Sequence, residues 1–510
     1  MAPRVSVTVG EWITLTADRY PDRPCFVYPD GSSHTFAAIN ARINRLADAL
    51  RQHGIGRGDR VAVMALDSHR YAETVLAALK VGAVYMPFNW RLSGIEVHNL
   101  VRRGAPLALF HSHRYAPLVD GSDVRLLVDY DGADGEGRRY EDLLSTGSET
   151  EQVAQIPDDE LFGLAFTSGT TGMPKGVLQS RRMIKQMVLS GLAEFQSRSE
   201  DVRYCASPMF HVTGIDMILM GVARGFTSLV TPQFDPDATA SFLLRDQLSA
   251  CFLVPTMISM LLQRPELQEG RYERLELIMY GASPMPAALL RRAMDTFRCD
   301  FMNLFGAGTE AGLQTLLTME DHRRAAAGED RLLGSIGRPA TCVALRLTDE
   351  EMREVEQGEI GEITTRSDMV MDGYLDMPEQ TERSLRDGWF RAGDLAYRDA
   401  DGYLYLAGRK NDMIIRGGEN IYPIEIESVL AEHPAVALVS VVGAPDDHWG
   451  EVVRAWIVLR AGTTVTAEEL SGLCRSRLAA FKVPAEFRFA EQLPTNASGK
   501  ILKTELRRLP

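Results

Sequence analysis

RVAVMALDSHRYAETVLAALKVGAVYM, residues 60–86, sets the fold class. The apolar run Arg60 to Ala65 reads as a strand, His69 to Lys80 as a helix, and Ala83 to Met86 as a second short strand. A strand, a helix and a strand in that order imply parallel strands, the unit of an α/β sheet. Just upstream, Phe36, Ile39, Ile43, Leu46 and Leu50 recur at steps of three and four, which predicts an amphipathic helix with Gly54 suited to its end.

The same alternation returns downstream. Strands are expected near Phe226–Val230, Cys251–Val254, Leu275–Tyr280 and Asp300–Phe305, with helical segments between them, so two α/β subdomains follow. From Gly334 to Leu406 short alternating runs and turn signals such as Asp387-Gly388 and Asp401-Gly402 predict a β-rich unit. After Gly408-Arg409, strands (Val436–Val442, Val453–Leu459) and a helix (Ala467–Leu478) predict a small α+β domain. A chain of 510 residues exceeds the roughly 250–300 at which one core stops growing. The expected architecture is α/β: a large N-terminal domain, residues 1–410, of two α/β subdomains plus a β-rich subdomain, and a small C-terminal domain, residues 411–510.

Composition narrows the function classes. The hydrophobic fraction of 45% and charged fraction of 24% are ordinary for a folded globular chain. A net charge of −14 offers no footprint for a nucleic-acid backbone and repels an anionic membrane surface. No run of 18 apolar residues and no secretory leader pattern occur, so a cytoplasmic protein with no integral membrane segment is expected. The six cysteines (Cys25, Cys205, Cys251, Cys299, Cys342, Cys474) lie far apart, without CxxC pairing, and read as buried thiols in a reducing compartment.

The chemistry concentrates in one loop. The apolar strand Leu161–Phe166 runs into Thr167-Ser168-Gly169-Thr170-Thr171-Gly172-Met173-Pro174-Lys175-Gly176. Glycines free backbone amides for an anion, hydroxyls add donors, and the lysine adds charge, which is what a polyphosphate requires. The Walker A pattern does not fit these residues. A flexible Gly/Thr-rich hairpin is the bland alternative for the loop taken alone.

TSGTTGMPKG resembles the signature loop of the adenylate-forming superfamily, which holds acyl-CoA synthetases, nonribosomal peptide adenylation domains and firefly luciferase. The resemblance continues in order through Pro208-Met209-Phe210-His211, Tyr280-Gly281-Ala282, Gly306-Ala307-Gly308-Thr309-Glu310, Gly393-Asp394, Gly408-Arg409, Gly417-Gly418-Glu419-Asn420 and Pro494-Thr495-Asn496-Ala497-Ser498-Gly499-Lys500. It spans the chain from about residue 10 to 505.

What the resemblance implies follows residue by residue. Lys500 matches the catalytic lysine that meets the acid and the α-phosphate of ATP, where charge builds in the transition state. Glu310 matches the Mg²⁺-binding glutamate, with Thr309 beside it as a phosphate donor. Thr167, Ser168, Gly169, Thr170, Thr171, Gly172 and Lys175 would hold the phosphates, Asp394 and Arg409 the ribose, and Gly281 and Ala282 the adenine. An ordinary ion pair is the plain alternative for Asp394 and Arg409, and a satisfied core residue for His211. In place after Phe210, His211 resembles the family's aromatic-His pair bordering the acyl pocket, which Met209, Val212, Ile215, Met257, Gly306 and Gly308 would complete. Gly417 and Gly418 resemble the loop that lines the pantetheine tunnel after the C-terminal domain rotates.

Two positions depart from the family pattern. Gly306 stands four residues before Glu310, where relatives carry an aromatic ring that stacks on adenine; either the backbone shifts so that Phe305, one residue earlier, stacks there, or adenine is held differently. Asn411 stands where relatives place a hinge Asp or Lys, and Asn tolerates the backbone angles a pivot visits.

The resemblance therefore implies an ATP-dependent acyl-CoA synthetase that acts through an acyl-adenylate, with ATP, Mg²⁺ and coenzyme A, and Asn89-Trp90-Arg91-Leu92 also looks like the N-x-R-L of such enzymes. No carboxylate stands where amino-acid-activating relatives bind an ammonium group, and the candidate lining is apolar, so a bulky hydrophobic carboxylic acid is the expected substrate. The alternatives are a ligase that loads a separate carrier protein and a non-catalytic nucleotide-binding protein. A homodimer is an allowed assembly.

Overall fold

In the computed structural model, which describes residues 7–131, 138–167, 174–446, 448–495 and 501–509, the deciding stretch forms strand Arg60–Met64, helix His69–Val81 and strand Val84–Pro87. The two strands are parallel, with Arg60 opposite Val84. The helix begins where the Ser68 hydroxyl accepts the Tyr71 amide and ends at Gly82. Tyr71 to Val81 are all buried, as suits a helix with apolar residues on every side.

This unit belongs to an eight-stranded sheet. Its order is Gly373–Tyr374, Lys175–Ser180, Leu161–Thr167, Val84–Pro87, Arg60–Met64, Ala108–His111, Leu126–Asp129 and Arg138–Arg139, and the last six run parallel. A nine-stranded sheet follows. Its parallel centre consists of Asp300–Gly308, Leu277–Gly281, Ala250–Leu253, Val202–Cys205, Thr227–Leu229 and Pro24–Val27, with antiparallel strands at both edges.

Alternation along the strands shows where the core sits. Val61 and Val63 face the same core as Ala250 and Phe252 of the other sheet, whereas Ala62 and Met64, or Cys251 and Leu253, face outer clusters. One core thus lies between the sheets. The buried faces of helices Phe36–Gln52, His69–Val81, Arg181–Glu194 and Val212–Arg224 fill it.

The β-rich unit is a five-stranded antiparallel sheet of Ala344–Thr348, Gly361–Arg366, Leu385–Arg386, Trp389–Arg398 and Leu404–Arg409, closed over Ile336, Leu347, Ile363, Ala396 and Leu404. One short helix, Pro378–Ser384, interrupts the β pattern. Beyond it, the hairpin Ile414–Arg416/Glu419–Ile421, the long pair Val436–Asp446/Gly450–Leu459 and strand Glu486–Phe489 form the last sheet. Among the described residues, its core, from Ile414 through Cys474, draws on no buried residue before Ile414.

The thiol expectation needs one correction. All six cysteines are free, but Cys342 is exposed and Cys205 and Cys299 are only partly covered. Cys342 lies in a turn closed by the Val343 amide on the Ala340 carbonyl, outside both layers. Among the described residues, no helix is long and apolar enough to cross a membrane.

Candidate active site

The Gly/Thr loop joins two strands of the first sheet, and its ends define its position. Thr167 closes strand Leu161–Thr167, Lys175 opens the antiparallel return strand, and the two are paired residues. Ser168, Gly169, Thr170, Thr171 and Gly172 lie outside the described residues, as do Asn496 to Lys500.

Opposite these ends stands the tip of a hairpin from the second sheet. Strand Asp300–Gly308 turns through Thr309, Glu310 and Ala311 into strand Gly312–Leu317. The tip is tied to the first sheet: Gln179 Nε2 donates to the Thr309 carbonyl at 2.9 Å, and the Met371 amide donates to the Glu310 carbonyl at 2.8 Å. Glu310 is thereby held near Thr167 and within the field of Lys175 and Arg409. Burial still dominates and pushes the Glu310 carboxyl up to about 7. The Lys175 ammonium lies 5.0 Å from the centre of the Tyr374 ring.

Asp394 and Arg409 face each other across the β-rich sheet, and Arg409 Nε donates to Asp394 Oδ1 at 3.0 Å. The strand just before Asp394 is braced by Glu362, a buried carboxylate that accepts the Gly393 amide at 3.2 Å and pairs with the partly covered Arg391. Gly281 ends the neighbouring parallel strand, paired with Leu304, and Ala282 follows in the left-handed region at φ +66°. Thr167, Gly281 and the Glu310 tip therefore lie at the carboxyl ends of strands from the parallel parts of the two sheets, where open α/β sheets bind ligands, whereas Asp394 and Arg409 come from the antiparallel β-rich sheet.

Phe305 is partly buried and packs against the β-rich core, on the side away from Leu304, which joins the core between the sheets. Gly306 is a correction. A Cβ there would lie 2.0 Å from the Gly312 carbonyl oxygen, so its missing side chain is demanded by the hairpin partner and opens no pocket volume. Gly308 faces Val212 instead: at φ +35°, its added Cβ would meet Val212 Cγ1 at 3.3 Å.

Val212 starts the helix that His211 caps, His211 Nδ1 accepting the Thr213 amide at 3.4 Å. Burial keeps the His211 imidazole neutral by lowering its basicity. Met209, Val212 and Ile215 are buried in the core between the sheets. Met257 is a second correction, because it packs on the outer cluster of the second sheet. Phe210 meets the edge of Trp90 at 6.1 Å, and Trp90 stacks on Tyr115 at 6.3 Å, so the first subdomain adds an aromatic wall.

At the other end, Gly417 and Gly418 form the two-residue turn between Arg416 and Glu419, and the Gly417 amide donates to the Trp449 carbonyl at 2.8 Å. Asn411 sits in the single turn Lys410–Asp412. Its flanks are tied to different bodies: Lys410 pairs with Glu350 of the β-rich unit at 3.0 Å, while Arg507 donates to the Asn411 carbonyl at 3.2 Å and to Asp412 at 3.0 Å.

Trp90, Tyr115, Gln179, Glu362 and Tyr374 carried no motif in the sequence. Each acts through a partner distant in the chain, and of these only Trp90 stood in a segment already noted, Asn89 to Leu92.

A hydroxyl-and-lysine loop end and a partly buried carboxylate at the ends of two α/β sheets, with the Asp–Arg pair of the β-rich sheet, suit a nucleotide-binding enzyme. Residues 13–375 match the AMP-binding enzyme family and residues 425–500 match the AMP-binding enzyme C-terminal domain. The chain belongs to the AMP-binding enzyme family. It is 35% identical to a feruloyl-CoA synthase of Amycolatopsis sp and 35% identical to the long-chain-fatty-acid–CoA ligase FadD13 of Mycobacterium tuberculosis, each alignment covering 98% of both chains. The crystal structure of ATP-bound MatB from Rhodopseudomonas palustris superposes with a TM-score of 0.90 at 28% identity, covering 98% of this chain and 99% of that one.

Proposed function

We propose that this AMP-forming acid–thiol ligase is an acyl-CoA synthetase acting on a bulky hydrophobic carboxylic acid. The observation that carries the reading is the convergence of Thr167, Lys175, Glu310 and Arg409 around one hairpin tip, with Gly308 on that tip bordering the apolar Val212. A carboxylate oxygen of the acid bonds to the α-phosphorus of ATP as pyrophosphate leaves. The CoA thiolate then bonds to the acyl carbon, and AMP leaves with that oxygen.

In this reading Lys175, Thr167 and Arg409 meet phosphate oxygens, Asp394 accepts the ribose hydroxyls, and Lys500 offers its ammonium to the developing charge on the α-phosphate. Among the described residues no group of three acidic, His or Cys side chains surrounds a metal position. That donor set suits Mg²⁺ shared between Glu310 and nucleotide phosphates, where the ion would neutralise phosphate charge, better than an all-protein cage. Residues 411–510 act as a mobile domain turning at Asn411, and Gly417 and Gly418 then border the path of the CoA arm. The cytoplasm is the proposed compartment, in keeping with six free thiols.

The acid side is apolar and aromatic: Phe210, Trp90, Met209, Val212 and Ile215 supply no charged partner for a substrate tail. The test is ATP–pyrophosphate exchange across short, aryl, long-chain and polycyclic acids, followed by competition between CoA and a holo-carrier protein as thiol acceptor. Exchange that rises with hydrophobic size, and thioester formed on CoA, support the reading. Exchange best with acetate or an amino acid, or transfer to the carrier alone, overturns it.

A further inference from the structure

Met209 is gripped from both sides by the other α/β subdomain. Its amide donates to Asp67 Oδ1 at 2.9 Å, and its carbonyl accepts from the Tyr85 hydroxyl at 3.0 Å. The Tyr85 hydroxyl is in turn 2.6 Å from that of Tyr71. Asp67 lies in the loop between strand Arg60–Met64 and helix His69–Val81, and its own amide donates to the Pro232 carbonyl at 3.2 Å. Desolvation pushes Asp67 up to about 8, but Oδ1 accepts the amide in either protonation state.

These bonds matter because the segment between strand Val202–Cys205 and helix Val212–Arg224 has no sheet partner beyond Ala206, whose amide donates to the Phe252 carbonyl. It lies directly on the helix: a Cβ at Gly214 would sit 2.2 Å from the Pro208 carbonyl oxygen. Beside Met209, a cavity of about 20 Å³ is lined by Asp67, Cys205, Gly214, Met217 and Ile218 among others. That volume holds about one water molecule, so the segment has little slack while both bonds are made. With either bond lost, a buried main-chain donor or acceptor is left unmatched and the segment must move to satisfy it.

We propose that Asp67 and Tyr85 are positioning residues that set acid specificity: they fix the Met209–His211 wall of the acyl pocket from the neighbouring subdomain without touching the acid. This rests on the reading of Met209–His211 as that wall. Asp67 and Tyr85 also sit on the subdomain that supplies Trp90 and Tyr115, so one body positions both the aromatic wall and the loop facing it.

The full-length enzyme is tested with Asp67→Ala, Asp67→Asn and Tyr85→Phe. KM for a graded series of acids and KM for ATP are measured by pyrophosphate exchange, and hydrogen exchange is followed in a peptide covering residues 206–214. Asp67→Ala is expected to raise KM for the best acid about tenfold and flatten the size preference, with KM for ATP changed less than roughly twofold. Asp67→Asn, which keeps the acceptor, should restore both. Tyr85→Phe should shift the same values in the same direction, and it carries the test should Asp67→Ala fail to fold. Hydrogen exchange at 206–214 should quicken in Asp67→Ala and Tyr85→Phe. Acid and ATP KM values rising together, Asn behaving as Ala, or unchanged exchange in that peptide would overturn the assignment. If wild-type enzyme shows no acid-dependent pyrophosphate exchange, the functional reading fails on its own, and the hydrogen exchange still decides whether Asp67 and Tyr85 hold the segment.

Discussion

Arg409 Nε donates to Asp394 Oδ1 at 3.0 Å, and the two residues stand directly opposite each other in neighbouring strands. The carboxylate is largely buried while the guanidinium is about half exposed, so Asp394 is oriented before any nucleotide arrives. Asp394→Asn keeps the shape but weakens both the pair and the acceptance of two hydroxyls. KM for ATP should rise about tenfold with KM for the acid nearly unchanged, as read by pyrophosphate exchange at varied ATP.

The two hairpin glycines should separate cleanly. Gly306→Ala drives a methyl group into the Gly312 carbonyl and should lower the melting temperature and abolish activity together. Gly308→Ala meets only Val212 but strains a left-handed φ of +35°, so it should lower the melting temperature less than Gly306→Ala while moving preference toward smaller acids. Gly308→Leu should move it further. Acid-size profiles and thermal melts of the three variants check this.

Asn411 lies between Lys410, bound to the β-rich unit, and Asp412, bound to Arg507 at the end of helix Lys503–Leu506. Proline fixes φ near roughly −65°, so Asn411→Pro holds a pivot in at most one state. Acyl-adenylate formation should persist while transfer to CoA slows, visible as adenylate accumulation in single-turnover experiments. Equal slowing of both steps would place the pivot elsewhere.

Stability should fall on the acid side because several histidines are buried neutral. His322 is almost fully enclosed, its ring nitrogens facing the Thr318 carbonyl and the Tyr280 hydroxyl, and burial lowers it to about 4; the partly covered His69 is lowered to about 3. Such a group binds its proton first in the unfolded chain. Its contribution is therefore complete above pH 6.5 and is lost as pH falls from 6.5 toward 4. For His322 alone the loss by pH 5 is roughly 2 kcal/mol. Denaturant unfolding at pH 7.5 and pH 5 should show it, and His322→Gln should narrow the difference between the two.

Periodicity made the fold legible. The helix from Phe36 and the parallel strands from Arg60 and Val84 appear within a residue or two of their expected ends, because steps of three and four and short apolar runs are local properties. The candidate site was legible only where residues cluster in motifs. Gly306 was read as pocket volume because a glycine's missing side chain is visible in sequence, whereas the carbonyl facing it is not. Asp67 and Met209 are 142 residues apart, and Gln179 and Thr309 are 130 apart; such bonds come from the packing of two sheets and leave no local pattern. The exposed Cys342 sits in a local turn closed by the Val343 amide on the Ala340 carbonyl, and residue spacing alone does not tell which thiol is left at the surface.

The most direct test of the acyl-adenylate route follows an oxygen atom. The preferred acid, labelled with ¹⁸O in its carboxylate, is incubated with the enzyme, ATP, Mg²⁺ and CoA, and the nucleotide product is weighed by mass spectrometry. Attack of the carboxylate on the α-phosphorus followed by thiol attack on the acyl carbon leaves one acid-derived oxygen on the nucleotide, so AMP carrying a single ¹⁸O is expected alongside acyl-CoA. Unlabelled AMP, or ADP as the nucleotide product, would contradict it.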